Sequence, residues 1–264
     1  MSEERFVEIE DMGGRLAGVL HLPDTVNRPC PVIVYCPGKN GERYEVHRLA
    51  VKFARVLAKQ GIAFLRFDYY GLGLSDGNYY EMTTETKISN VITAYEWLQT
   101  CPEIDNQKIT FLGFSDGARI ALMAANRCNV EHVMLWSPLF YEFSGNLPGK
   151  KKPRFQRHHR ALQYLVMPWV GMWISMDFYS HLFSIDLDDE LRRYKGKSIV
   201  IYGDNDPLIQ EEFKLMETNQ YAVYANDHEH PVYCVAGAGH LFTSVPLEQN
   251  IMDFSSQWIQ EQWK

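Results

Sequence analysis

The 264-residue chain has no run of eighteen apolar residues, the length a helix needs to cross the hydrocarbon core of a bilayer. Its first eight residues are acidic and lack the apolar stretch of a secretory leader, so the expectation is a cytoplasmic protein without a membrane span. Cysteine is sparse. Cys30, Cys36, Cys101, Cys128 and Cys234 are scattered, with no Cys-x-x-Cys pair to suggest zinc or thiol redox chemistry, and buried free thiols are the plain expectation. An excess of positive charge is also missing: 26 Lys and Arg against 33 Asp and Glu leave a net charge of −7, which argues against a nucleic-acid footprint spread over the surface. Low-complexity tracts and fixed-period repeats are absent too, which excludes a solenoid. Nothing in the composition calls for a metal or an organic cofactor.

What is present is alternation. Strand-like segments at Phe6–Glu10, Leu16–Leu22, Pro31–Cys36, Ile62–Phe67, Lys108–Leu112, Val130–Trp136, Ser198–Tyr202 and Val232–Val235 are interleaved with helix-like ones at Tyr44–Lys59, Thr84–Gln99, Leu208–Glu217 and Leu247–Trp263. The first two strands, joined around Gly13-Gly14, read as a hairpin. The rest predict a largely parallel sheet covered on both faces. The rhythm breaks between residues 141 and 190. That stretch opens with Gly145, Pro148 and Gly149, carries Lys150, Lys151, Lys152, Arg154, Arg157 and Arg160 without an acid among them, and then turns aromatic from Trp169 to Ile174. It reads as a helical cap inserted into one domain that spans residues 1–264.

Two segments match Gly-x-Ser-x-Gly: Gly73-Leu74-Ser75-Asp76-Gly77 and Gly113-Phe114-Ser115-Asp116-Gly117. A serine nucleophile needs a strand running into it and a helix starting after it, because the sharp turn lifts the hydroxyl clear of the sheet. Ser115 has that setting, between Lys108–Leu112 and the helix-forming run Ala118–Ala125. Ser75 follows Phe67-Asp68-Tyr69-Tyr70 in a glycine-dense loop and has no helix after it.

A serine hydroxyl also needs a base within reach and a carboxylate to orient that base. Both belong in loops at the carboxyl ends of later strands. His240 follows Val232–Val235 in Gly237-Ala238-Gly239-His240, and Asp206 follows Ser198–Tyr202 in Gly203-Asp204-Asn205-Asp206, with Asp204 as a rival acid that periodicity does not exclude. The other histidines lack such a position. An oxyanion hole requires two converging donors. The elbow supplies the Asp116 N–H, and the loop Cys36-Pro37-Gly38-Lys39-Asn40-Gly41 offers the Lys39 N–H, with Gly38 next. Phe140, Trp169, Met172 and Trp173 are candidates for an acyl pocket under the cap, although aromatics at such spacing also serve as core.

These residues resemble the α/β-hydrolase superfamily, over nearly the whole chain. Arg66 to Gly77 looks like the D-x-x-G-x-G-x-S loop of many members, which makes Ser75 part of a structural loop. Gly203-x-x-Asp206 matches the family spacing for the acid and favours Asp206 over Asp204. Pro37-Gly38 stands where members usually carry His-Gly. Within the superfamily the chain is similar to feruloyl and cinnamoyl esterases, to serine peptidase-like lipases and to hydrolases that accompany biosynthetic gene sets.

The resemblance implies a mostly parallel eight-stranded α/β sheet and a Ser115-His240-Asp206 triad that cleaves a small-molecule ester or thioester through an acyl-enzyme. Two alternatives are a thioesterase or acyltransferase acting on CoA- or carrier-bound acyl groups, and a non-catalytic ligand-binding member of the fold. A homodimer is left open.

Overall fold

The computed structural model describes residues 3–11, 13–24, 29–141, 154–216 and 222–264. Lys150, Lys151 and Lys152, the Gly145, Pro148 and Gly149 segment and the expected helix end at Glu217 lie outside them. The opening hairpin is β1 (Glu3–Asp11) and β2 (Gly14–Leu22). The sheet continues with β3 (Cys30–Cys36), β4 (Ala63–Phe67), β5 (Ile104–Phe114), β6 (His132–Trp136), β10 (Lys197–Gly203) and β11 (Val232–Val235). Its order is β1-β2-β4-β3-β5-β6-β10-β11, with every pair from β4 to β11 parallel. All eight strands expected from the sequence are therefore present in one mostly parallel sheet.

Successive residues of a strand face opposite ways, and β3 shows the division of the core. Val32, Val34 and Cys36 face helices α2 (Thr84–Gln99) and α3 (Asp116–Cys128), while Ile33 and Tyr35 face α1 (Leu49–Lys59) and α7 (Val245–Gln262). Both faces are buried, so the central strands read as continuous apolar runs. All five cysteines are free, but Cys234 is exposed, contrary to the expectation of buried thiols. It lies on β11, at the edge of the sheet.

Helix α1 begins later than the sequence pattern suggests. Glu45 (φ 55°), His47 (φ 39°) and Arg48 (φ 64°) all have left-handed backbone, and residues Val46–Arg48 form a 3-10 turn ahead of α1. Helical propensity loses here to tertiary bonds made by Glu45 and His47, described below.

The cap is not helical throughout. It carries a three-stranded antiparallel sheet of β7 (Gln156–Arg157), β8 (Leu165–Trp169) and β9 (Met172–Ser175), followed by α4 (Met176–Ser184) and α5 (Leu187–Arg193). β8 and β9 meet at Val170-Gly171, both with positive φ (43° and 83°), the backbone that a two-residue hairpin turn needs. The aromatic run from Trp169 to Ile174 thus spans a turn rather than a helix face. α6 (Pro207–Leu215) lies between β10 and β11. Among the described residues, no helix is long and apolar enough to cross a membrane.

One buried pair on the first strands has a pH signature. The Arg66 Nε–H donates to His21 Nε2 at 2.8 Å, which requires an unprotonated acceptor nitrogen. Burial, with the Arg66 charge beside it, depresses the His21 pKa to about 4. Its contribution to stability is complete above the unfolded histidine value near 6.5 and is lost as pH falls from there towards 4, because the unfolded chain takes up the proton first. In urea unfolding, the wild type should lose about 2–3 kcal/mol more stability between pH 7 and pH 4 than His21→Gln does.

Candidate functional site

Strand β5 runs into Ser115, and α3 starts at the next residue. Ser115 has φ 57° and ψ −123°, a strained turn held by Ser115 N–H donating to the Trp136 carbonyl at 2.8 Å and Ala118 N–H donating to the Ser115 carbonyl at 3.0 Å. The flanking glycines are obligatory for packing. A Cβ on Gly113 would lie 2.2 Å from the Gly117 carbonyl oxygen, and one on Gly117 would lie 2.1 Å from that of Cys36. The unpaired N–H groups and positive dipole end of α3 are thereby set beside the Ser115 hydroxyl.

The loops at the carboxyl ends of β10 and β11 bring Asp206 and His240 to this point. His240 Nε2 lies 2.9 Å from Ser115 Oγ, and His240 Nδ1 lies 2.7 Å from Asp206 Oδ2. A fully buried carboxylate accepts only, so Nδ1 carries the proton and Nε2 is left to accept from the serine. Asp206 is itself held as the N-cap of α6, its Oδ1 accepting the Leu208 N–H at 2.9 Å and the Ile209 N–H at 3.3 Å. Asp204 turns elsewhere: its Oδ1 accepts the Gly237 N–H at 2.7 Å. The geometry thus separates the two acids left open by periodicity.

The loop after β3 closes the other side. A Cβ on Gly38 would sit 3.6 Å from Ser115 Cβ, so this loop packs directly on the serine. The Gly38 N–H is committed to the buried Glu45 carboxylate at 3.2 Å. Glu45 also accepts the Tyr35 hydroxyl at 2.8 Å. Burial pushes its carboxyl up against these hydrogen bonds and against the nearby His240. The Lys39 side chain is buried, its Nζ 4.1 Å from the Trp169 ring centroid and 4.8 Å from that of Phe178. Trp169 Nε1 donates to Asn40 Oδ1 at 3.0 Å, so the cap grips this loop at two adjacent residues.

Asp116 is wholly buried. Burial alone would raise its carboxyl, but the Lys87 ammonium, 2.8 Å away, and the Arg119 guanidinium hold it well below the usual carboxylate range. The proposed pocket residues are dispersed. Trp169 is at the Lys39 loop, Trp173 lies with its ring 6.1 Å from that of His158, and partly buried Met172 packs on the core. Phe140 lines a cavity of about 320 Å³ with Tyr141, Leu182 and Leu187, and neither Ser115 nor His240 lines that cavity. Among the described residues, no cluster of three or more His, Cys, Asp and Glu side chains is placed to hold a metal ion.

Three contributors escaped the sequence reading: Glu45, Lys87 and His47. His47 lies 2.6 Å from the Leu241 carbonyl through Nε2 and 2.6 Å from Glu248 through Nδ1, tying the turn before α1 to the residue next to His240. Lys87 had a signal, because it shares an i, i+4, i+7, i+11 stripe with Val91, Ala94 and Leu98, where an exposed lysine does not belong. The two others had none in sequence spacing.

The sheet order, the turn at Ser115 and the loops after β10 and β11 define an α/β hydrolase by fold. More particularly, residues 4–134 match the family model described as FrsA-like, Esterase FrsA-like. The chain is 33% identical over 122 residues to Esterase FrsA of Yersinia enterocolitica, covering 46% of this chain and 27% of that one. It is 32% identical over 112 residues to Esterase FrsA of Yersinia pestis, covering 42% and 25%. The chain therefore spans about a quarter of the length of these curated relatives.

Among solved structures it is similar to Est1E from Butyrivibrio proteoclasticus with bound ferulic acid, with a TM-score of 0.76 and 19% identity over 96% of this chain and 99% of that one. A dienelactone hydrolase from Anabaena variabilis matches with a TM-score of 0.66 and 17% identity over 98% of both chains. At these identities the structures speak to the fold.

The second Gly-x-Ser-x-Gly serine is built into the loop that carries it. Ser75 Oγ donates to the Asp68 carbonyl at 2.6 Å and accepts the Ala17 N–H at 2.9 Å, pinning the loop to β2. Ser75→Ala should cost about 1–2 kcal/mol in chemical denaturation and leave the reactivity of Ser115 intact. Loss of Ser115 reactivity in a folded Ser75→Ala protein would reverse the assignment of the two motifs.

Proposed function

We propose that the protein is a serine hydrolase that cleaves a carboxylic ester of a small acyl substrate. The observation that carries this reading is the Ser115–His240–Asp206 hydrogen-bonded chain, 2.9 and 2.7 Å long, at a strained strand-to-helix turn. Ser115 Oγ attacks the ester carbonyl while His240 Nε2 takes its proton, and Asp206 orients the imidazole and stabilises the charge it gains. The negative oxygen is held by the N–H groups of Asp116 and Lys39. His240 then protonates the leaving alkoxide, and water, deprotonated by the same imidazole, releases the acid from the acyl-enzyme. The descriptions of the FrsA relatives as esterases, and of Est1E as a ferulic acid complex, support esters of this size as substrates.

The exposure of Arg154, Arg157 and Arg160 favours a second reading, in which the acyl donor is anionic, a CoA or carrier-bound thioester. The two readings share the machinery and differ in the donor. A preference for acyl-CoA over aryl esters that fades at high salt would select the second.

After treatment with a fluorophosphonate, mass spectrometry should find the adduct on Ser115, and Ser115→Ala should lose the adduct and lower kcat on an aryl ester by about 10⁴-fold or more. An adduct confined to Ser75 would overturn the assignment. Ester binding of equal affinity in wild type and Ser115→Ala, with turnover in neither, would make the protein a ligand-binding member of the fold.

A further inference from the structure

Lys87 is a fully buried lysine on α2, and the rest of its stripe is apolar. A buried ammonium is costly unless its hydrogen bonds are met, and a methionine would suit this position for packing alone. The ammonium has specific partners. Its Nζ donates to Asp116 Oδ2 at 2.8 Å and to the Lys39 backbone carbonyl at 3.2 Å, and lies 5.0 Å from the centre of the Tyr69 ring. Asp116 has a second cation in Arg119, so Lys87 is not its sole source of neutralisation. Lys87 also reaches the Lys39 carbonyl, so its ammonium joins Asp116 to the loop after β3.

The two residues joined in this way are those whose N–H groups form the oxyanion hole in the reaction above. Lys39 is held on its other side as well, since the Gly38 N–H donates to Glu45 at 3.2 Å. The peptide that bears the Lys39 N–H is therefore flanked by a held N–H at Gly38 and a held carbonyl at Lys39, and its own carbonyl, that of Gly38, accepts the Gly41 N–H at 3.1 Å. An oxyanion hole works only when its two donors are already at the right separation before charge develops.

We propose that Lys87 is a positioning residue for the oxyanion hole, its ammonium tying the Lys39 carbonyl to the Asp116 carboxylate and so setting the spacing of the two donors. This rests on the ester-hydrolase reading and deepens it. Such a tie acts on the transition state and leaves the binding of the neutral ester unchanged.

The test compares wild type, Lys87→Met, Lys87→Gln and the double variant Lys87→Met/Asp116→Asn, in which no carboxylate loses its lysine. For each, kcat and KM on an aryl ester, the affinity for an aryl boronic acid that forms a tetrahedral anion on Ser115, and the thermal midpoint are measured. Lys87→Met should lower kcat by about 10- to 100-fold, less than loss of a donor itself, with KM within about twofold. Boronic acid affinity should fall in parallel, and Lys87→Gln, whose amide can donate to the Lys39 carbonyl, should recover part of both.

Wild-type kcat and boronate affinity in folded Lys87→Met would overturn the proposal. A lower thermal midpoint with kcat and boronate affinity unchanged per folded molecule would overturn it equally, by making Lys87 structural. Should Lys87→Met fail to fold, Lys87→Gln and the double variant decide by the same two readouts. A wild type that neither turns over esters nor labels at Ser115 defeats the hydrolase reading and this inference with it. Labelling at Ser115 with no effect of Lys87 substitution defeats only the inference.

Discussion

The closeness of α3 to β3 is the constraint on which the rest of the site depends. Gly117 lies so near the Cys36 carbonyl that no side chain fits between them, and Gly113 is as tight against the first turn of the helix. Two backbones in that contact force the three residues between the glycines, Phe114, Ser115 and Asp116, into a sharp turn, and Ser115 takes a positive φ of 57° as a result. The parallel register does the remainder. β3, β5, β6, β10 and β11 run in the same direction, so the loops carrying Lys39, Ser115, Asp206 and His240 all leave the sheet at the carboxyl ends of its strands.

At this end of the sheet, buried carboxylates add to the backbone bonds that hold the loops. Glu45 accepts the Gly38 N–H, Asp68 accepts the N–H groups of Arg43 and Leu74, Asp206 accepts those of α6, and Glu212 accepts those of Phe140 and Tyr141. A charged acceptor makes a stronger bond to a backbone N–H than a neutral one, and each of these acids is buried enough for water to compete poorly. The acidic balance of the chain is thus partly an interior matter.

The strands were legible because a sheet covered on both faces needs unbroken apolar runs, and those runs are local in sequence. Ser115, Asp206 and His240 were legible for a related reason: each follows such a run within a few residues. The helical reading of the cap holds for α4 and α5 but not for its first part, because Trp169, Met172 and Trp173 are read alike in either state and the Val170-Gly171 turn separates them. The late start of α1 was hidden for a different reason. Glu45 and His47 adopt unfavourable backbone to reach their partners, Glu45 at Tyr35, ten residues back, and His47 at Leu241, 194 residues along the chain. No window of sequence contains both ends of the His47 bond, and the Glu45 bond follows no helix or strand period. Periodicity did not separate Asp204 from Asp206 because they differ by two residues in one loop; it is the Asp206 carboxylate that faces the imidazole, while Asp204 bonds to the Gly237 N–H.

The bond from His47 to the Leu241 carbonyl has a consequence for the order in which the molecule is completed during synthesis. The segment that matches the FrsA-like model, residues 4–134, contains Ser115, Lys39, Lys87 and Asp116 but neither Asp206 nor His240. This segment emerges from the ribosome first, with the turn at Glu45–Arg48 lacking the contact that His47 makes to Leu241. Only when residues beyond 240 have followed can that turn close on Leu241 and Glu248. In the proposed mechanism, the nascent chain therefore carries Ser115 before it carries the residues proposed to activate it, Asp206 and His240.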